Sequence, residues 1–255
     1  LPGGVSTKRY GADFLMANHV LLNSEDHRTL RITSAHGADL GDAVMSSLVV
    51  PSEFRRVQND YPILFRLTPQ RDRFQALAMF GFEPGENLFL DGGQWDARYR
   101  PLALQIQPFL IGYPATPGGD KQIHLDLDNP RVATGGEGVR VFDDLGRPTP
   151  YLETIAEQLG ELDAGWQASE GFFAALTRHE LIEPLTLEIT LDDGTTNRLV
   201  GYHGIAEERL QQLDAATLGE LHAEGHLMPV FMALASLANV AELIDRKSRR
   251  NAARG

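Results

Sequence analysis

The sequence contains no cysteine, and that absence removes disulfides, thiolate metal sites and cysteine nucleophiles from consideration. It also lacks any run near the ~18 consecutive apolar residues that mark a membrane-spanning helix, so no transmembrane segment is expected. The opening residues Leu1-Pro2-Gly3-Gly4 carry neither the charged nor the apolar region of a secretory signal, and no starting methionine; a cytoplasmic location is the expectation. Positive charge is scarce. Lys and Arg number 23 against 35 Asp and Glu, for a formal net charge of −12. A nucleic-acid binder normally displays a basic face, so no nucleic-acid partner is expected. The one basic run is a tail over 246–255, with Arg246, Lys247, Arg249, Arg250 and Arg254. It reads as a solvated helix end, where cations suit the helix dipole.

Several catalytic patterns are missing too. There is no G-x-x-x-x-G-K-[ST] and no G-x-G-x-x-G after a strand. The loop Gly135-Gly136-Glu137-Gly138 holds an acid that repels phosphate. No G-x-S-x-G elbow occurs, because Ser169 in Ala168-Ser169-Glu170-Gly171 lacks the first glycine.

What is present is the patterning of an α+β protein, a mainly antiparallel sheet with covering helices concentrated in the C-terminal half. Residues 1–18 read as a flexible arm. Short β-type runs follow at 47–50, 63–67, 74–82 and 87–90, separated by turn residues such as Glu83-Pro84-Gly85-Glu86. Ser52 is a candidate cap for a short helix that Tyr61-Pro62 stops. A helix over 99–107 and strands at 108–113 and 122–127 are expected next. From Pro148 the period changes from two to about 3.6. Leu152, Ile155, Leu159 and Leu162 share a face, and Gly160, Gly165 and Gly171 suggest a helix in two pieces. Runs at 185–191 and 197–202 flank Asp192-Asp193-Gly194, a hairpin signal. A two-stranded hairpin is marginal alone, so it is expected to join the first half's sheet. Residues 19–245 then form one domain, with a subdivision near 148. Asp214 caps a helix that Gly225 ends, and an apolar helix follows over Leu227–Val240. That helix reads as core, or as a face for a homodimer, since Met-containing surfaces adapt to partners.

Two clusters carry candidate chemistry. Trp95-Asp96-Ala97-Arg98-Tyr99 is dense in the residue types of binding hot spots. It reads as a small-ligand or peptide site on Trp95, Arg98 and Tyr99, or as a structural corner in which Trp95 enters the core, Asp96 caps a helix and Arg98 pairs with an acid. Asp126 and Arg131 are further ligand-binding candidates. His124-Leu125-Asp126 places two metal-ligating side chains on one face of a strand. With His203 it would complete the two-histidine, one-carboxylate set of non-haem Fe(II) oxygenases.

Several ordered segments resemble the SapC family. They include Leu22-Asn23-Ser24-Glu25-Asp26-His27-Arg28, Glu53-Phe54 with Tyr61-Pro62-Ile63, and Gly85-Glu86-Asn87-Leu88-Phe89. Trp95 through Pro101, Asn129-Pro130-Arg131, Leu181-Ile182-Glu183-Pro184 and Glu207-Glu208-Arg209-Leu210 continue the match. The resemblance spans roughly 20–243 and implies no particular reaction, nor does it require histidine at position 124. It implies a link to S-layer protein secretion, to nutrient uptake, or to a halogenase- or cupin-associated pathway. The reading is therefore an accessory or binding protein with a protein, peptide or small-molecule partner and no cofactor. The alternative is an Fe(II) oxygenase-like enzyme on His124, Asp126 and His203.

Overall fold

The computed structural model describes residues 18–114, 120–133, 136–191 and 194–253. The arm expected over 1–18, apart from Asn18, lies outside the described residues, as do Thr134, Gly135, Asp192, Asp193 and Arg254. The architecture is α+β with antiparallel sheets and the longer helices in the C-terminal half. Its contacts divide into two units: residues up to Asp42 with Leu102–Ala164, and Ala43–Pro101 with the chain from Gly165 onward.

The first unit contains two three-stranded sheets. In one, β1 (His19–Leu21), β9 (Gln122–Asp126) and β8 (Phe109–Gly112) lie in the order β1-β9-β8. Leu125 and Phe109 are cross-strand partners and both are buried, which fixes that face as the inner one. In the other, β2 (Arg31–Ile32) pairs on either side with β10 (Val132–Ala133) and β11 (Val139–Arg140). The short helix α2 (Leu102–Gln105) contributes buried Leu102 and Leu104.

The second unit is built on five strands in the order β12-β13-β4-β5-β3. Here β3 is Ser46–Val49, β4 Ile63–Leu67, β5 Phe74–Met79, β12 Ile182–Thr190 and β13 Thr196–Ile205. The expected hairpin thus joins strands from the first half of the chain, where His203 of β13 pairs with Phe65 of β4. A two-stranded ribbon of β6 (Leu90–Asp91) and β7 (Gln94–Trp95) sits beside it in sequence, and α1 (Phe54–Val57) follows a 3-10 turn. Glu53, not Ser52, organises that turn, because its carboxylate accepts from the Val50 amide at 3.0 Å.

Helix α3 runs unbroken over Pro150–Arg178 and passes through the division between the units. Its glycines do not split it. Gly165 is needed for contact, since a Cβ there would stand 2.5 Å from Val50 Cγ2, whereas one at Gly160 would meet nothing. Three helices follow: α4 (Glu207–Gln211), α5 (Ala215–Ala223), whose cap Asp214 accepts from Thr217 N at 2.8 Å, and α6 (Leu227–Ser236). The last, α7 (Asn239–Ala252), continues α6 through Leu237 and Ala238, both helical.

By length and composition alone, the stretch Leu227–Ala252 is long and apolar enough to cross a membrane, a test that core helices of soluble proteins also pass. One side of it is tied to the second unit by polar contacts: Ser236 Oγ accepts from Ile63 N at 2.8 Å and Asn239 Nδ2 donates to Gln58 O at 2.8 Å.

The two glycines make opposite predictions. Gly160→Ala should stabilise the chain by roughly 0.5–1 kcal/mol through helix propensity. Gly165→Ala should destabilise it by about 1–3 kcal/mol through overpacking against Val50. Urea unfolding of both variants checks the signs.

Candidate functional site

The hot-spot-like cluster begins at β7. Leu90 and Trp95 are ribbon partners, which turns the indole toward Phe80 at 5.3 Å between centroids. Trp95 Nε1 donates to the Tyr61 hydroxyl at 2.8 Å, and that hydroxyl in turn donates to the Tyr99 carbonyl. Tyr61 is fully buried, edge-on to Phe80 at 5.0 Å and Phe89 at 4.7 Å. Burial holds its ionisation well above the ordinary phenol value, with the Trp95 hydrogen bond opposing in part. The Tyr99 hydroxyl donates to Glu53 Oε1 at 2.8 Å, and the Arg56 guanidinium lies 4.7 Å from the Tyr99 ring centre. Glu53 is fully buried. Its two oxygens serve Tyr99 and the Val50 amide, which is how a carboxylate is tolerated there.

Arg98 donates to Asp60 Oδ1 at 3.0 Å, matching the expected acid pairing. Asp96 does not cap a helix; its carboxylate receives Arg246 at 2.8 Å. Sequence reasoning put the basic tail in solvent. Instead α7 lies on the 83–96 segment. Lys247 is buried and donates to Glu86 Oε1 at 2.6 Å, Arg246 stacks 4.4 Å from the Phe89 ring centre, and Arg250 donates to the Asn87 and Leu90 carbonyls. Trp95, Arg98 and Tyr99 therefore come together, and each makes contacts within its own unit.

Arg131 lies in the first unit at 2% exposure. Its guanidinium donates to Asp42 Oδ1 at 2.7 Å and to the Ala35 carbonyl at 2.8 Å. Asp42 Oδ2 accepts from Gly37 N at 3.0 Å. This pair ties the 33–42 loop to the start of β10. Arg131→Met strands the Asp42 carboxylate and should lower stability by about 3–5 kcal/mol in urea unfolding, whereas Arg178→Met, whose carboxylate partners Glu220 and Glu224 are exposed, should cost under about 1 kcal/mol.

The H-x-D pair lies on β9 as expected, with His124 buried and Asp126 half-buried. The residue facing Asp126 is His19 of β1, its register partner, with Nε2 3.9 Å from Oδ2. His19 escaped the sequence reading because its strand is short and its partner lies far along the chain. The His124 ring leans over Gly112 of β8, where a Cβ would collide with it. Its Nδ1 is buried and finds no hydrogen-bond partner among the described residues. Burial holds the His124 imidazole below its ordinary 6.5, assisted by the nearby His19. His203 belongs to the second unit, edge-on to Phe74 at 5.0 Å, and burial followed by the Arg71 charge lowers it too. Among the described residues, no group of three or more His, Asp or Glu is gathered so as to hold a metal ion.

Both lowered imidazoles bear on acid stability. The folded chain resists protonating them, so their contribution is complete above about pH 6.5 and is lost as pH falls below it. Unfolding free energy should decline between about pH 7.5 and 5.5, and His124→Gln should reduce that slope; an unchanged slope counts against the assignment.

By fold and local chemistry this is an α+β protein whose conspicuous polar and aromatic residues brace its own core. It belongs to the SapC family, whose family model matches residues 22–243. Comparison with the curated proteins and with the solved structures finds no match.

Proposed function

We propose that this SapC-family protein is an accessory protein that acts by binding another protein chain rather than by turnover. One observation carries the reading. The side chains with the chemistry for a site, Trp95, Arg98, Tyr99 and Arg131, use their polar groups on internal partners, while large apolar side chains stand open to solvent on one helix. On α6, Met228 is 61% and Phe231 49% exposed. Neighbouring apolar residues that excess exposure marks as interaction surface are more telling than isolated ones. Methionine and phenylalanine are also side chains that interface cores favour. The S-layer, uptake or halogenase-linked settings suggested by the family are the contexts in which such a partner would be sought.

The test is a photo-cross-linking residue at position 228 in the full chain, expressed in living cells, with a control at exposed Ala164. A discrete adduct from 228, absent from the control and lost with Phe231→Glu, is expected. Equal labelling at both positions would remove the reading.

A further inference from the structure

The outward side of the α6–α7 helix has a regular spacing. Along one stripe of it Met228, Phe231, Ala235, Ala238, Glu242, Asp245 and Arg249 are exposed. They recur by alternating steps of four and three, the spacing of a coiled-coil seam. Val230, Ala233, Ser236 and Leu243 are buried on the opposite side. Across the junction Leu237 and Ala238 keep helical backbone angles, so the stripe does not break there. No charged residue occurs from Leu227 through Ala241.

The apolar part of the stripe is graded in size. Its first two positions are large, Met228 and Phe231, and its next two are small, Ala235 and Ala238. A two-fold axis on the exposed side, midway between Phe231 and Ala235, would run a second copy of the helix antiparallel to the first. It would seat Met228 over the partner's Ala238 and Phe231 over the partner's Ala235. Large side chains then enter the gaps left by small ones on both sides, as an isologous interface requires. We infer that this stripe is the homodimer interface of the chain, an antiparallel helix pair; the inference rests on the binding reading above and names its partner as a second copy.

Charge opposes close approach of two copies and so tunes the contact. The two-fold brings the partner's Glu242 toward the α5–α6 turn, where Glu224 lies. Within its own chain Glu224 is already paired with Arg178 at 3.3 Å, and Glu242 with Arg246 at 2.9 Å. The residual repulsion, added to a net charge of −12 per copy, is screened by salt. Association should therefore strengthen with ionic strength. An anionic lipid surface is a poorer occupant, because the stripe is flanked by acids and Arg246, Lys247 and Arg250 are held inside the unit.

Sedimentation equilibrium of the full chain tests the inference by reciprocal substitution. The native chain is expected to dimerise reversibly, more tightly in about 0.5 M than in 0.05 M salt. Phe231→Ala and Ala235→Phe should each weaken the dimer at least tenfold, and the double variant should recover most of that loss. Both positions are exposed, and circular dichroism verifies folding; exposed Met228→Lys provides a second disrupting variant. A dimer indifferent to all of these overturns the interface. So does a chain that remains monomeric, including one that floats with phosphatidylcholine–phosphatidylglycerol vesicles. If the pure chain is monomeric while position 228 cross-links a different protein in cells, the homodimer falls and the binding reading stands. If neither occurs, both fall.

Discussion

The fold of the second unit depends on a buried hydroxyl group. Tyr61 lies in the connection between α1 and β4, with its ring wedged between Phe80 and Phe89. Such a position excludes water, so the oxygen must find partners from the protein. It finds the Trp95 indole on one side and the Tyr99 carbonyl on the other. Three stretches distant in sequence, 53–61, 80–89 and 95–99, are thereby locked in one arrangement. The Tyr99–Glu53 bond closes the same circuit back to the turn before α1. A residue cluster with the composition of a binding site thus acts as the internal frame of the unit.

Electrostatics reinforces this frame from outside. The scarce cations of an acidic chain are concentrated on α7, and three of them attach the helix to the 83–96 segment through carboxylates and backbone carbonyls. Arg246 adds its face to Phe89. A Lys–Glu pair with little exposure is costly to desolvate and is tolerated only with good geometry. Here Lys247 reaches both Glu86 and Glu83, and Glu86 also accepts from the Phe82 amide. With its inner side held in this way, the α6–α7 helix turns its other side, apolar at one end, to the solvent.

Local rules made much of this legible. The 3.6-residue period after Pro148 located α3, β-type runs bounded by turn residues located β4 and β5, the Asp-Gly turn signal located β12 and β13, and the Asp214 cap followed from its side-chain chemistry. Marginal stability of a lone hairpin correctly joined β12 and β13 to the larger sheet. Three glycines suggested a broken α3 because helix propensity is blind to the Val50 side chain that Gly165 accommodates. That Arg98 pairs with an acid followed from its residue type, but that the acid is Asp60, 38 residues earlier, did not. The fate of Asp96 and of the basic tail was not, because their partners are brought together only by the tertiary fold. The same holds for His19, whose three-residue strand has no periodicity to detect. Arg131 was singled out as a ligand residue from its chemistry alone, and nothing nearby in sequence announced Asp42 as its partner.

The most direct test of the central claim, that the Trp95–Tyr99 segment is an internal brace, is a double-mutant cycle between Tyr61→Phe and Trp95→Phe. Urea unfolding followed by circular dichroism would supply the four free energies. If the indole–hydroxyl bond braces the core, the two substitutions couple by about 1–2 kcal/mol. Additivity within about 0.3 kcal/mol would contradict the account and return Trp95 to the list of residues free to meet a ligand.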